Sequence, residues 1–276
     1  MTAHSAWLTV QHGTAPLVVS LPHTGTTFPE DMLAHYASPW LARRDTDWWI
    51  ETLYDFAGDL GATIVRTSIS RSVIDVNRDP SGVSLYPGQA TTELCPTTTF
   101  DGDELYEPGD KPDEGEIARR RAAYFEPYHE VLRTEIARLR AVHAAVVVYD
   151  CHSIRSIIPR LFEGKLPHFN IGTNGGATCD PALSQAVEAV CRDSGREVVV
   201  DGRFKGGFIT RSNGRPMDGV HAIQMELACR GYMHEPLGRV SPEDWPSAYD
   251  EAMATPMRET LRGVLKSCLD FAQARA

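Results

Sequence analysis

The run Ala144-Ala145-Val146-Val147-Val148-Tyr149-Asp150-Cys151-His152-Ser153 changes character in its middle. Its first six residues are apolar and rich in β-branched side chains. That length and composition predict a strand buried on both faces, as in a sheet covered by helices. The run then reaches an acid, a thiol and an imidazole. In open α/β sheets the reactive groups gather where strands end at their carboxyl edge. His152 is therefore the anchor for reading the rest of the chain.

The chain has 276 residues, is 42% hydrophobic and carries a formal net charge of -10. That is enough apolar material for a sizeable core, and α/β folds of this length often form a single domain. The acidic balance argues against nucleic acid, whose partners usually carry a basic patch. An anionic substrate would need a local cluster of Arg or Lys. Met1 to Gln11 shows no basic start followed by an apolar core, so no signal peptide is expected. No stretch approaches the roughly 18 apolar residues of a membrane span. The six cysteines are scattered without a C-x-x-C pair, which fits reduced thiols and a cytoplasmic location.

Pro16 to Leu21 reads as a short buried strand running into Pro22-His23-Thr24-Gly25, a second strand edge followed by an imidazole. Ser38 to Leu60 reads as a helix opened by Ser38-Pro39. Near its start lie Asp45 and Asp47. Two residues apart on a helix, they would point to different faces. Ala62 to Ile69 is another strand, leading into Arg71 and Arg78 with Asn77 between them. Arginine offers a planar fork suited to carboxylates. Ser81 to Gly115 is rich in Pro, Gly and Thr, then acidic, and reads as a long excursion with little regular structure, either a lid or a plain loop. Glu116 to His143 is a long helix that Pro127 kinks or divides.

Pro159 to Asp180 reads as loop, Pro181 to Ser194 as an amphipathic helix, and Glu197 to Val200 as a strand. Phe204 to Arg211 is a glycine-containing segment that delivers Lys205 and another arginine without the spacing of a phosphate loop. His221 to Ala228 alternates as a strand does, with Glu226 in mid-run. A carboxylate there is costly unless paired or used. Ser241 to Ala276 reads as a terminal helical region packing on the sheet. The architecture expected is one α/β domain over residues 1–276, with a mixed, mostly parallel central sheet flanked by helices.

His23, Asp47 (or Asp45) and His152 make a suitable shell for a catalytic zinc with one position left for water. A separate carboxylate such as Glu226 can then move protons. The pattern is dispersed, and no H-E-x-x-H is present.

Taken together, Ser20-Leu21-Pro22-His23-Thr24-Gly25, Arg44-Asp45-Thr46-Asp47-Trp48, Ser70 through Pro80, Tyr149-Asp150-Cys151-His152-Ser153, Phe204-Lys205-Gly206-Gly207, Ile209-Thr210-Arg211 and Gly219 through Leu227 resemble the N-formylglutamate deformylase (amidohydrolase) family. The resemblance runs from about residue 5 to about residue 235. More distantly, the pattern is similar to aspartoacylases, succinylglutamate desuccinylases and zinc carboxypeptidases. In that group a Glu follows the first metal histidine by three residues; here the position is Thr26, so the third ligand must come from elsewhere.

The resemblance implies a three-layer fold of the zinc carboxypeptidase kind and hydrolysis of N-formyl-L-glutamate to formate and L-glutamate, a late step of histidine degradation. It implies Zn²⁺, or another divalent ion, on His23, Asp47 and His152. Glu226 would be the general base and Arg71 would steady the oxyanion. Arg78 and Arg211 would clamp the substrate carboxylates, with Asn77, Lys205 and His221 assisting. Two alternatives stay open: a relative that removes succinyl or acetyl from an acidic amino acid, and a non-catalytic protein that binds metal or metabolite. The oligomeric state does not follow from the residues.

Overall fold

The computed structural model describes residues 6–275. Met1 to Ser5, the first part of the stretch read for a signal peptide, and Ala276 lie outside the described residues.

Seven strands form one mixed sheet: β1 (Leu8–Gln11), β2 (Leu17–Leu21), β3 (Thr63–Thr67), β4 (Val146–Ile154), β5 (Phe169–Gly172), β6 (Val198–Val200) and β7 (Val220–Ala228). Their order across the sheet is β1-β3-β2-β4-β7-β5-β6. The four central strands β3, β2, β4 and β7 are mutually parallel. β1 joins one edge antiparallel, and β5 pairs antiparallel with β7 while running parallel to β6. Among the described residues there are six α-helices, besides short 3₁₀ and π turns: α1 (Ile50–Leu53), α2 (Glu114–Arg120), α3 (Glu126–Arg140), α4 (Pro181–Asp193), α5 (Phe208–Asn213) and α6 (Glu251–Gln273).

Strand parity decides which layer each side chain meets. Val147, Tyr149 and Cys151 of β4 and Ile223, Met225 and Leu227 of β7 face one core, which α4 covers with Leu183, Val187 and Cys191, and α6 with Met257, Leu261, Val264 and Cys268. Val146 and Val148 of β4 with Val220 and Ala222 of β7 face the other, covered by Tyr128, Leu132, Ile136 and Leu139 of α3. Burying one such leucine contributes about 1.5–3 kcal/mol. Both β4 and β7 are buried along their whole length.

Several elements differ from the reading of the residues. β4 does not stop at Tyr149 but runs on to Ile154, so Asp150 and His152 belong to the strand and share the face of Val146 and Val148. Ser38 to Leu60 is not one helix. Single 3₁₀ and α turns follow one another, and Trp49 sits at a φ of 65°, a backbone state no helix interior tolerates. The two tryptophans at 48 and 49 pack toward the α6 core at the cost of helical regularity. Pro127 does divide its helix. A π turn over Arg121–Phe125 precedes α3, and Pro127 falls in the first turn of α3, where its missing N–H costs nothing. The loop reading of 159–180 misses β5, and the glycine-containing segment 204–211 contains the start of α5. The terminal helix begins only at Glu251. No helix among the described residues is long and apolar enough to cross a membrane. All six cysteines are buried and unpaired.

Candidate active site

β2 and β4 are parallel neighbours, and the chain leaving β2 turns immediately into His23. The turn is possible because Gly25 passes hard against the backbone of Ser68 and Ile69; a Cβ there would lie 2.4 Å from the Ile69 carbonyl oxygen. His23 thereby sits beside the loop after β3, which carries Arg71, Asp75, Asn77 and Arg78. β4 supplies Asp150 and His152, and β7, in register beside it, sets Glu226 opposite His152.

His23 and His152 face one another through Nδ1, 3.1 Å apart. An Asp47 oxygen lies 3.2 Å from His152 Nδ1 and 3.6 Å from His23 Nδ1. Three donors on a tetrahedral zinc, each about 2.0–2.1 Å from the ion, would be about 3.3–3.4 Å apart. The triangle of imidazole, imidazole and carboxylate therefore fits such an ion in size and in chemistry. The far nitrogen of each ring is held by a carboxylate: His23 Nε2 by Asp75 at 2.8 Å and His152 Nε2 by Asp150 at 2.9 Å. A carboxylate behind the imidazole is the usual arrangement for orienting a metal histidine. His23, Asp47 and His152 are all buried, with exposures of 2% or less.

Asp47, not Asp45, joins the histidines. The chain between the two is a turn rather than a helix, and Asp45 instead accepts from the Phe100 backbone N–H at 2.6 Å. Asp47 also accepts from Arg71 (3.1 Å) and from the Ser153 N–H (3.1 Å). Burial works against its ionised form, yet the His23, His152 and Arg71 groups around it hold its carboxyl below the usual range. Burial likewise disfavours the His152 imidazolium, but Asp150 and Asp47 outweigh it and raise its pKa. Asp75 is the hub: it receives His23 Nε2, Arg71 (2.8 Å), the Asn77 N–H (2.9 Å) and, at 3.4 Å, Arg78. Burial opposes its charge, and Arg78, His23 and Arg71 together keep its carboxyl well below the usual range.

A cleft opens from this cluster, lined by His23, Arg71, Asn77, Arg78, His152 and Glu226. Phe100, Ile154, Leu161 and Phe204 form its apolar wall, and Tyr86, Thr92, Arg203 and Gln224 complete the polar part. Burial pushes the Glu226 carboxyl up to about 8, with His152 opposing the shift and Asp47 adding to it. Asn77 lines the cleft with its amide already engaged: its oxygen accepts from the Ile209 N–H at 2.8 Å, and its nitrogen lies 3.0 Å from His152 Nε2. Gly207 lets the start of α5 come this close, since a Cβ there would collide with the Asn77 amide.

Three of the expected substrate groups are not on the cleft wall. His221 lies at the amino end of β7 and, five residues from Glu226, on the opposite face, where it meets Phe271 edge to face and accepts from the Asp180 N–H. Lys205 is exposed. Arg211 donates to the Gly206 carbonyl and lies over the Tyr86 ring. The residues missed are Asp75, Asp150 and Arg203. The i, i+2 spacing of Asp150 and His152 on one strand face was a usable signal for Asp150; nothing in the residues separated Arg203 from other surface arginines.

A sequence model of the family described as N-formylglutamate amidohydrolase matches residues 15–233. An N-formylglutamate deformylase of Pseudomonas aeruginosa is 44% identical over 269 residues, covering 97% of this chain and 98% of the relative. A second, from Pseudomonas putida, is 42% identical over 97% of both. The crystal structure of an N-formylglutamate amidohydrolase from Ralstonia eutropha JMP134 superposes with a TM-score of 0.80 at 23% identity, covering 99% of this chain and all of that one. An Agrobacterium tumefaciens protein of solved structure shares the fold with a TM-score of 0.69. With a conserved architecture, full-length similarity to two deformylases and a family match that spans the whole cleft, the chain belongs to the N-formylglutamate amidohydrolase family.

Proposed function

We propose that this enzyme hydrolyses N-formyl-L-glutamate to formate and L-glutamate with the help of a divalent ion, zinc by preference, and that it serves a late step of histidine degradation. The observation that carries the reading is the buried triangle of His23, Asp47 and His152 beside Glu226, at the closed end of an arginine-lined cleft. A divalent ion held by the triangle would act as a Lewis acid and lower the pKa of a water toward about 7.

The chain's own residues do the rest. Glu226 takes a proton from the attacking water as its oxygen bonds to the formyl carbon. Arg71, already fixed by Asp47 and Asp75, presents its guanidinium to the oxygen where negative charge grows, an interaction stronger in the transition state than before it. Glu226 then returns the proton to the amide nitrogen as the carbon–nitrogen bond breaks, releasing formate and the free amine. Asp75 and Asp150 keep Nδ1 of each histidine turned inward. Arg78 binds one substrate carboxylate, and the Asn77 amide donates at 3.4 Å to Asp150, the carboxylate behind His152.

The test is formate release from N-formyl-L-glutamate by protein stripped with chelator and then given back zinc. Release that disappears on stripping and returns with zinc supports reaction, substrate and metal together. No release from metal-loaded protein would overturn the reading.

A further inference from the structure

Arg203 occupies an unusual position. It lines the cleft together with Arg78 and Glu226. Its Nε donates to the Leu161 carbonyl at 2.8 Å and its Nη2 to the Ala90 carbonyl at 2.9 Å. Its guanidinium lies 5.2 Å from the ring centres of both Tyr86 and Phe204. Tyr86 is itself pinned, donating its hydroxyl to the Gly206 carbonyl at 3.0 Å and accepting from the Lys205 N–H at 3.2 Å. Two neutral carbonyls and two aromatic rings thus fix the plane of this guanidinium. No carboxylate stands within ion-pair distance of it among the described residues.

The other cleft arginines differ. Arg71 has Asp47 and Asp75, and Arg78 has Asp75 at 3.4 Å. Placing a charge in a half-buried site without a counter-ion is costly, and an anion arriving at the site recovers that cost. Burial and the neighbouring Arg78 lower the Arg203 pKa, and the fields of Tyr86 and Glu226 offset this only in part. In a chain of net charge -10, a fixed and unpaired guanidinium facing a cleft has an anion as its natural partner.

We infer that Arg203 is a specificity-determining residue that receives one of the two substrate carboxylates, the other going to Arg78. The inference rests on the proposed reaction, which supplies a substrate with two carboxylates. The family resemblance assigns this role to Arg211, which donates to the Gly206 carbonyl and is not among the residues lining the cleft. Arg203 has the rigid backing that a bidentate carboxylate contact requires.

The test compares wild type with Arg203→Ala and Arg203→Lys on three substrates: N-formyl-L-glutamate, N-formyl-L-glutamine, and N-formyl-L-glutamic acid 1-amide. Truncating one partner of a buried charge pair costs roughly 30-fold to 10³-fold. That loss in kcat/KM is expected for Arg203→Ala on N-formyl-L-glutamate and on one of the two amides. The other amide, which lacks the carboxylate that Arg203 binds, should change less than about threefold, and the lysine variant should fall between. Added guanidinium salt should partly restore the alanine variant. Equal loss on all three substrates, or no loss on any, would overturn the assignment. Wild-type protein that fails on N-formyl-L-glutamate would instead sink the proposed reaction. Should Arg203→Ala not fold, glutarate protection of wild type and the lysine variant against thermal unfolding gives the same answer. Equal protection of the two would count against Arg203.

Discussion

Four of the histidines among the described residues are buried, and they divide between two regions. In the cleft, His23 and His152 each place one nitrogen on a carboxylate, Asp75 or Asp150, and turn the other toward its counterpart. In the packed layers, His129 on α3 and His221 on β7 have backbone partners, the Val76 carbonyl at 2.8 Å and the Asp180 N–H at 3.2 Å; His129 packs at a tilt on Phe125 and His221 meets Phe271 edge to face. The electrostatic outcome is opposite. Burial, against the pull of the Val76 carbonyl and helped by Arg133, pushes His129 down to about 4, and burial with Arg275 lowers His221, whereas Asp150 and Asp47 raise His152. Burial therefore does not identify a working histidine. The carboxylate behind the ring does, because it sets both the tautomer and the charge.

The largest expected effect lies on the cleft side. Glu226→Gln keeps the shape of the acid and removes its ability to carry a proton. Loaded with a divalent ion as wild type is, it should keep the same metal content and lose kcat by about 10²–10⁴. Near-normal turnover would take Glu226 out of the chemistry and with it the distinction between a catalytic and a packed region on β7.

On the packed side the expected effect is on stability alone. Unfolded, His129 would take a proton below about 6.5; folded, it resists until about 4. Its folded pKa is depressed, so its contribution is present in full above about 6.5 and is lost as pH falls toward 4. The span corresponds to about 3 kcal/mol. Urea unfolding at pH 7.5 and 4.5 should show wild type losing about that much more than His129→Gln. Equal losses in the two proteins would show that the ring is not the titrating group.

Asp75→Asn tests the claim that the carboxylate makes the site histidine. The amide keeps the size of the side chain but gives up the charge that orients His23 and pairs with Arg71. Metal affinity, read by competition with a chelating dye, should fall about 10–100-fold. Unchanged affinity would mean that the imidazole orientation is set by packing, as it is for His129.

Much of the fold was legible because hydrophobic pattern and strand propensity agree. The β-branched run at 144–149 reports a strand covered on both sides, and the 28-residue stretch from Glu116 to His143 reports the helix that covers it. What was not legible is tertiary in origin. β5 is four residues long and holds Phe169 and Ile171 in the core only because β7 is beside it. The stretch from Ser38 to Leu60 has helical composition, but packing the paired tryptophans and delivering Asp47 to the histidines take precedence over helix propensity. In the site, His23, His152 and Glu226 stood out as polar groups at strand ends or in buried strands. Asp75 carries no such mark in the residues, where it resembles any acid placed between two arginines. It does bind both of them, but from full burial, as the group on which the cleft is hung.

His221 shows most clearly how far a one-dimensional reading reaches. It shares a strand with Glu226, and the same pattern that marked one marked the other. Side chains alternate along a strand, so an odd separation sends the two to opposite layers. His221 accordingly meets Phe271 of α6, while Glu226 meets the cleft. His221→Gln should change kcat and KM for N-formyl-L-glutamate by less than about threefold, because neither Phe271 nor Asp180, the groups it touches, lines the cleft. It should lower stability by about 1 kcal/mol, the size of one lost hydrogen bond with its packing retained in part. A large kinetic effect with stability unchanged would reverse the assignment of the two faces. That result would be informative beyond this residue, since it would require β7 to be shifted by one position against β4, moving Glu226 away from His152 as well.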